Sequence, residues 1–188
     1  MQKLLLQIIA LVHNQGQGSS FVVLLKEEAG ERRLPVAIGS VEAQAIATAA
    51  EGVVPNRPFT HDLLANTLRS FSIQLEEVLI SDLRDNVFFA TLVCSSPDGR
   101  LYEIDSRTSD ALALAIRFAC PIYTYRQIMD KAGIFWENAP EKTLSAGKQG
   151  LSAYDEEELR GMLDEALAEE NYEQAAIIRD ELERRKSN

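Results

Sequence analysis

The chain has 188 residues, of which 46% are hydrophobic, and its formal net charge is −10. This length fits one ordinary domain with an appendage or two small domains, and the hydrophobic content argues against global disorder. The tail from residue 152 onward carries 12 acidic and 5 basic residues, which leaves 17 acidic and 14 basic residues before it. Neither part has the basic excess of proteins that bind many nucleic-acid phosphates, which counts against tight sequence-independent binding but not against a small cationic cleft.

The first half of the chain alternates apolar runs with turn-forming residues. Three strands are predicted there, over residues 1–13, 19–26 and 33–38. An alanine-rich helix over 41–51 follows and ends at Gly52. A second helix begins at Thr60, whose hydroxyl is predicted to cap it.

A block rich in strands and turns follows. Strands are predicted over 73–81, 87–95 and 100–104, with turns at 82–86 and 96–99. A third helix, from 109 to about 119, is apolar almost all round, so we expect it to be buried. An extended segment over 121–125 and a short helix over 126–131 complete the domain. The prediction is an α+β domain with a mixed or antiparallel sheet and packed helices, spanning 1–136.

The C-terminal part has a different composition. Residues 137–151 have little periodicity and are predicted to be a linker. Residues 152–188 form two apolar stripes typical of an antiparallel helical hairpin, which is too small to bury its apolar face alone. We therefore expect the hairpin to dock onto its own copy, the main domain or another protein. The residues assigned to this contact are Leu159, Leu163, Tyr172, Ala175, Ala176 and Arg179.

The cysteines and the N-terminus indicate the compartment. Cys94 and Cys120 are far apart in apolar strings, a pattern typical of buried free thiols. The apolar start of the chain is interrupted by Gln7 and lacks a small-residue cleavage site, so it is predicted to be a strand and not a signal peptide. No stretch approaches the roughly 20 apolar residues that a membrane span requires. We predict a soluble, cytoplasmic protein with no membrane partner.

A first polar stretch, 57–62, precedes the second helix. His61 in the first helical turn is positioned to act as a general base, with Asp62 favoured at the positive end of the helix. The alternative is that His61 is a partly exposed first-turn residue and Asp62 only a dipole partner. Arg57 is a candidate substrate-binding cation, although such arginines more often lie on the surface.

A second polar stretch, 105–110, precedes the third helix. Asp105 and Asp110 are candidate ligands of Mg²⁺ or Mn²⁺, which prefer oxygen donors. Arg107 between them is suited to hold a phosphate. The alternative is that Thr108 or Ser109 caps the helix while Asp105 forms a salt bridge with Arg107. The sequence leaves both readings open.

Two residues outside these polar stretches are additional candidates: Glu42 in the first predicted helix and Arg117 in the third. Glu42 is either a solvated first-turn glutamate or part of the site, and Arg117 either borders a phosphate cleft or lies on the surface. The sequence has no phosphate-binding glycine loop, cysteine–histidine zinc spacing or serine-nucleophile elbow. These absences favour metal-aided or acid–base chemistry among the enzyme classes.

These stretches together resemble a known family. The ordered segments 34–43, 57–63, 104–111, 115–117 and 121–123 are similar to the bifunctional nuclease domain family. Thr108 stands where the family pattern usually has proline, and we expect threonine to cap the helix instead. The tail segments around Leu159 and over 170–180 resemble the UvrB/UvrC (UVR) interaction motif.

The resemblance implies a nuclease that acts on RNA and DNA, and the matching polar positions are Glu42, His61, Asp62, Asp105, Arg107, Ser109 and Asp110. The leading hypothesis is a metal-assisted phosphodiesterase: the two carboxylates of 105–110 hold the ion, His61 activates water and Arg107 binds the phosphate. Arg57, Ser109 and Arg117 contribute to substrate binding. The rival hypothesis is a non-catalytic regulatory protein whose polar cluster is structural or binds a small anion. A homo-oligomer, dimeric or trimeric, and a protein partner at the hairpin are also expected.

Overall fold

The structure of the protein, a computed structural model, describes residues 2–13, residues 20–135 and eight helical residues between 159 and 185. The contacts within the chain divide it into two units, Met1–Leu144 and Ser145–Asn188. Residues 14–18, between the first two predicted strands, and the predicted linker at 137–151 lie outside the described residues.

The first unit is built on one eight-stranded sheet with the strand order β6-β5-β4-β7-β1-β2-β3-β8. All neighbouring strands are antiparallel except β4 and β7, which run parallel. The strands are β1 Lys3–His13, β2 Ser20–Glu27, β3 Arg32–Gly39, β4 Gln74–Arg84, β5 Val87–Ser95, β6 Leu101–Arg107, β7 Ile122–Tyr125 and β8 Ile134–Phe135.

Three of the four helices of this unit form a layer beside the sheet. The helices are α1 Ser40–Ala50, α2 Thr60–Ser70, α3 Thr108–Phe118 and α4 Arg126–Ala132. α1 packs on β2 and β3, α3 packs on β4 and β5, and α3 also contacts both α1 and α2. Alternate strand residues such as Leu34, Val36 and Ile38 enter the core below α1, as the period of two requires. The mixed, mostly antiparallel α+β fold is therefore confirmed.

The third helix is buried, as expected for a helix that is apolar almost all round. Five consecutive residues, 111–115, have almost no exposed surface because α3 lies between the sheet and its two neighbouring helices. Ala119 ends the helix with φ of 53°, a left-handed conformation that is uncommon for a residue with a side chain. The sequence prediction for this helix is confirmed.

Two predicted boundaries are wrong and one short strand was missed. The turn predicted at 82–86 is only two residues long, Asp85 and Asn86, both with positive φ. Such a primed hairpin turn lets β4 continue to Arg84. β6 does not end at residue 104, because its ladder with β5 continues to Arg107. β8 was not predicted, since two residues are too few to show a pattern.

The predicted hydroxyl caps are also wrong. Thr60 is the first helical residue of α2, and the cap is Phe59, whose backbone N–H donates to Asp62 Oδ2 at 2.9 Å. Thr108 is buried, and its hydroxyl donates to the carbonyl oxygen of Phe88 at 3.0 Å instead of capping α3. At the start of α2 the carboxylate of Asp62 accepts a backbone N–H in place of the expected Thr60 cap. At the start of α3 the Thr108 hydroxyl joins the helix to β5 and does not cap the helix.

In the second unit, Leu159, Ile178 and Leu182 are buried together and Leu163 packs against them. These residues and Arg179 are helical, whereas Tyr172, Ala175 and Ala176 lie outside the described residues. Across the described part of the whole chain, no helix is both long and apolar enough to cross a membrane.

Candidate active site at three helix N-termini

Three helices begin at the same end of the helix layer. The first turns of α2 and α3 meet where His61 Nε2 lies 2.9 Å from Asp110 Oδ1. Their last turns also meet, because Arg69 Nη2 donates to the carbonyl oxygen of Arg117 at 2.6 Å. The two helices are therefore parallel. The first turn of α1 joins them through Glu42, which accepts a hydrogen bond from Arg107 Nη1 at 2.9 Å.

Asp110 is the centre of this cluster. Its Oδ2 accepts from Arg107 Nε at 2.7 Å, and its Oδ1 accepts from Arg107 Nη2 at 3.0 Å and contacts His61. Burial raises the pKa of Asp110, but the hydrogen bonds from Arg107 and His61 outweigh it and hold the pKa below its ordinary value of 3.8. Asp110 is therefore ionised at neutral pH, with both oxygens in use.

The ionised carboxylate fixes the tautomer of His61. A carboxylate without a proton can only accept hydrogen bonds, so the hydrogen at Nε2 of His61 must point to Asp110. In a neutral imidazole the lone pair then resides on Nδ1. Asp110 thus orients the ring and leaves Nδ1 as the atom that can accept a proton.

Arg107 is both tied down and accessible. Its side chain keeps 66% of its surface exposed although it forms hydrogen bonds to Asp110 and Glu42. A guanidinium has five N–H donors, and the three hydrogen bonds to these carboxylates leave two donors without an acceptor in the described part of the chain. The hydrogen bonds from Arg107 to Asp110 also raise the pKa of the guanidinium. Arg107 is therefore a fixed cation with free donors.

Arg117 has a different position from the one expected of a substrate-binding residue. Only 7% of its side chain is exposed, and it donates to Asp62 Oδ1 at 2.7 Å and to the carbonyl oxygens of Ala45 and Ala113 at 3.1 and 2.9 Å. Burial raises the pKa of Asp62, but the hydrogen bonds from Arg117 and from the Phe59 N–H lower it overall. Arg117 braces α1, α2 and α3 against one another.

The remaining candidates lie outside the cluster. Asp105 is exposed on β6, where it is paired with Thr91 of β5, and its carboxylate has no hydrogen bond or ion pair within the described residues. It therefore forms no salt bridge with Arg107. Ser109 is half-buried in the first turn of α3, and Arg57 is exposed in the loop before α2. The structure thus brings together Glu42, His61, Arg107 and Asp110.

The donor set does not fit the expected divalent-metal site. Both oxygens of Asp110 are engaged by Arg107 and His61, and Asp105 makes no contact with them. In the described part of the chain no group of three or more His, Cys, Asp or Glu side chains is arranged to hold a metal ion. We therefore derive no chemical step through a metal.

Two contacts of this site were missed from the sequence. Glu42 is 65 positions from Arg107, so no local spacing indicates their pairing. Arg117 follows the apolar run 111–116 of α3, and that is a usable signal, since a charge on a buried helix requires a partner. The partner, Asp62, could be identified only from the way in which α2 packs on α3.

Comparison with known proteins shows which family the chain is related to. Two proteins of Mycobacterium tuberculosis are each 40% identical to the chain over 113 residues: Uncharacterized protein MT1877 of strain CDC 1551/Oshkosh and Uncharacterized protein Rv1829 of strain ATCC 25618/H37Rv. Each match covers 60% of this chain and 66% of the relative, just under two thirds of its length. The model of the bifunctional nuclease domain matches residues 23–137 and so includes Glu42, His61, Arg107 and Asp110. The chain belongs to the bifunctional nuclease domain family.

Proposed function

We propose that this protein hydrolyses phosphodiester bonds of RNA, DNA or both at the cluster of His61, Arg107 and Asp110. The observation that carries the proposal is the continuous chain of hydrogen bonds from His61 through Asp110 to Arg107. It places a proton acceptor and a fixed cation on the same carboxylate. Membership of the bifunctional nuclease domain family supports phosphodiester chemistry.

In this proposal Arg107 binds the scissile phosphate. Its exposed guanidinium offers two unused N–H donors, and arginine matches phosphate oxygens with paired hydrogen bonds. The positive ends of α1, α2 and α3 converge here and favour an anion. The carboxylate of Glu42 repels that anion and offsets the charge of Arg107, so removing the charge of Glu42 should strengthen phosphate binding.

His61 acts as the general base. Its Nδ1 accepts the proton of the attacking water as the water oxygen bonds to phosphorus and the bond from phosphorus to the leaving oxygen breaks. The leaving oxygen takes its proton from solvent or from the protonated ring, while Asp110 holds Nε2 and stabilises the positive charge that forms on the ring. Arg107 offsets the negative charge that develops on the phosphoryl oxygens. This scheme assigns no metal to Asp105 and Asp110, so cleavage should persist in the presence of a chelator.

The test is cleavage of fluorescent single-stranded RNA, single-stranded DNA and duplex DNA by the purified full-length chain, with EDTA or Mg²⁺. We expect His61→Ala and Arg107→Ala to lower cleavage by about a hundredfold or more, because each removes a group that acts in the transition state. Arg84→Ala is the matched control, since Arg84 pairs with Asp82 and is 68% exposed, close to the 66% of Arg107. Equal rates in all variants would exclude this site.

Glu42→Gln tests this effect of the Glu42 charge separately. It removes the negative charge that holds Arg107 Nη1 but leaves the hydrogen bonds between Arg107 and Asp110 in place. Both proteins in the comparison carry His61→Ala, which prevents turnover. We expect the protein that also carries Glu42→Gln to bind single-stranded RNA more tightly than His61→Ala alone, measured by fluorescence anisotropy at low salt. Unchanged or weaker binding would contradict phosphate binding at Arg107.

A second candidate function is a non-catalytic interaction protein. The observation that favours it is the charge balance of the cluster, because Glu42 and Asp110 already neutralise Arg107. In this case the C-terminal unit recruits a partner protein in the manner of a UVR hairpin, and the buried contact of Leu159, Ile178 and Leu182 supports a helical module there. Absence of cleavage with every substrate, together with a protein complex that is lost when residues 152–188 are deleted, would favour this function.

A further inference from the structure

The long edge of the sheet, β6, is unusually open. It is the terminal strand and pairs with β5 alone among the described strands. The ladder between the two strands runs from Leu101 to Arg107 without a bulge, whereas the β4–β5 and β1–β2 ladders are both irregular. Natural sheets usually protect such an edge with a bulge, a proline, inward charges or a covering element. β6 has no bulge or proline, its exposed charges are those of Glu103, Asp105 and Arg107, and no described strand pairs with its outer backbone groups.

The two faces of β6 differ in chemistry. Tyr102 and Ile104 lie opposite the buried Cys94 and Leu92 of β5, on the helix-bearing face. Although they lie on that face, Tyr102 is 49% exposed and Ile104 is 44% exposed, so the helix layer does not cover them fully. These side chains extend the apolar face of the sheet beyond its last described strand.

The other face of β6 is acidic. Glu103 and Asp105 are exposed, and neither carboxylate has a hydrogen bond or ion pair with the described residues. A strand added beside β6 would place its own side chains about 5 Å from these carboxylates. The partner strand must therefore bring positive charge on this face and apolar side chains on the face of Tyr102 and Ile104.

A second copy of this chain does not meet that requirement. When two copies of β6 pair antiparallel about a two-fold axis, each face of one strand continues into the same face of the other. Residues that lie opposite each other must therefore have numbers that are both odd or both even. Centring the ladder on Glu103 or Asp105 opposes that carboxylate to its own equivalent, and centring it on Ile104 opposes Glu103 to Asp105 twice. The register centred on Asp105 also sets Glu103 opposite Arg107, but the guanidinium of Arg107 is already held by Asp110 and Glu42. Every two-fold register that pairs five or more residues of β6 thus sets carboxylates against one another.

We propose that β6 is a docking site for an extended peptide of another protein in which lysine or arginine alternates with apolar residues. The peptide adds a ninth strand to the sheet. Its backbone pairs with the free edge of β6, its cations face Glu103 and Asp105, and its apolar side chains cover Tyr102 and Ile104. This surface belongs to the first unit, and the proposal does not depend on nuclease activity.

The test uses the full-length chain and a fluorescein-labelled nine-residue peptide of alternating lysine and valine with blocked ends. We expect this peptide to bind at least about tenfold more tightly than a version with glutamate in place of lysine, since two cross-strand charge pairs change sign. The double variant Glu103→Lys with Asp105→Lys should reverse the preference. Hydrogen exchange should slow at the β6 amides when the lysine peptide is bound to the wild-type chain.

The matched control is the double variant Glu31→Lys with Glu76→Lys. It changes the net charge by the same amount, and Glu76 lies on the interior strand β4, where both edges are paired. This control should keep the preference for the lysine peptide. The proposal fails if both double variants behave alike, or if a peptide with N-methylated backbone binds equally well. It also fails if wild-type copies self-associate in sedimentation and hydrogen exchange at the β6 amides slows as the protein concentration rises without peptide.

Discussion

Replacement of Arg117 by methionine should destabilise the first unit strongly. Methionine keeps much of the apolar stem but removes the charge and three hydrogen bonds, to Asp62 and to the carbonyl oxygens of Ala45 and Ala113. The two carbonyls belong to helices, so the larger loss is the ion pair. Arg117→Met would leave the carboxylate of Asp62 partly buried without its cation.

The magnitude follows from burial. Removing one partner of a fully buried ion pair costs about 3–5 kcal/mol, and the 24% exposure of the Asp62 side chain reduces this cost through solvent screening. We therefore expect Arg117→Met to lower the free energy of unfolding by about 2–3 kcal/mol. Asp62→Asn should cost about 2 kcal/mol, because its amide oxygen can still accept the N–H of Phe59.

A double-mutant cycle in urea, followed by far-UV circular dichroism, measures the pair directly. The double variant should be less destabilised than the sum of the single variants by about 1 kcal/mol or more, since neither unpaired charge remains. Arg84→Ala, at an exposed ion pair, should change stability by less than about 0.5 kcal/mol. Additive costs, or a cost for Arg117→Met below about 1 kcal/mol, would refute the brace.

Three further predictions concern single groups. Thr108→Val should cost about 1 kcal/mol in urea unfolding and Thr108→Ser much less, because only serine preserves the hydrogen bond to the Phe88 carbonyl. The folded-state pKa values of Asp62 and Asp110 lie below 3.8, so their stabilisation is present above the unfolded pKa and is lost as pH falls through the folded values. Unfolding curves between pH 2 and 6 should therefore show a smaller acid-induced loss for Asp62→Asn than for the wild type. Burial raises the pKa of Cys120 to about 11, so its reaction with a chromogenic disulfide at pH 8 should be about a hundredfold slower than that of a thiol with the ordinary pKa of 9.0.

The strands and helices could be predicted because their patterns are local. Alternation of apolar residues identifies β4 and β5, and the nearly continuous apolar run of α3 indicates a helix packed on both sides. The boundaries failed where a local pattern was ambiguous. Asp85 and Asn86 favour a left-handed turn, but nothing local shows that only these two residues form it.

The site could be predicted in part, for a related reason. His61, Arg107 and Asp110 stand out as polar residues at helix starts, and the structure brings them together. Their pairing depends on the parallel packing of α2 and α3, which no local spacing reports. Asp105 was expected in the site because it is close to Asp110 in sequence. It lies instead on β6, since the strand continues to Arg107 before α3 begins.

The two arginines of this junction separate the structural role of the cluster from its proposed chemical role. Parallel helices that begin together bring three positive helix ends close to one another, and Glu42, Asp62 and Asp110 each place a carboxylate in one of those first turns. Arg117 is buried and holds its carboxylate between helices, which is what stability requires. Two carboxylates fix Arg107, yet its side chain remains exposed. Exposed ion pairs contribute little to the free energy of unfolding, so stability alone does not require this arrangement. The exposed guanidinium of Arg107 beside the oriented imidazole of His61 is therefore not explained by a role in stability alone.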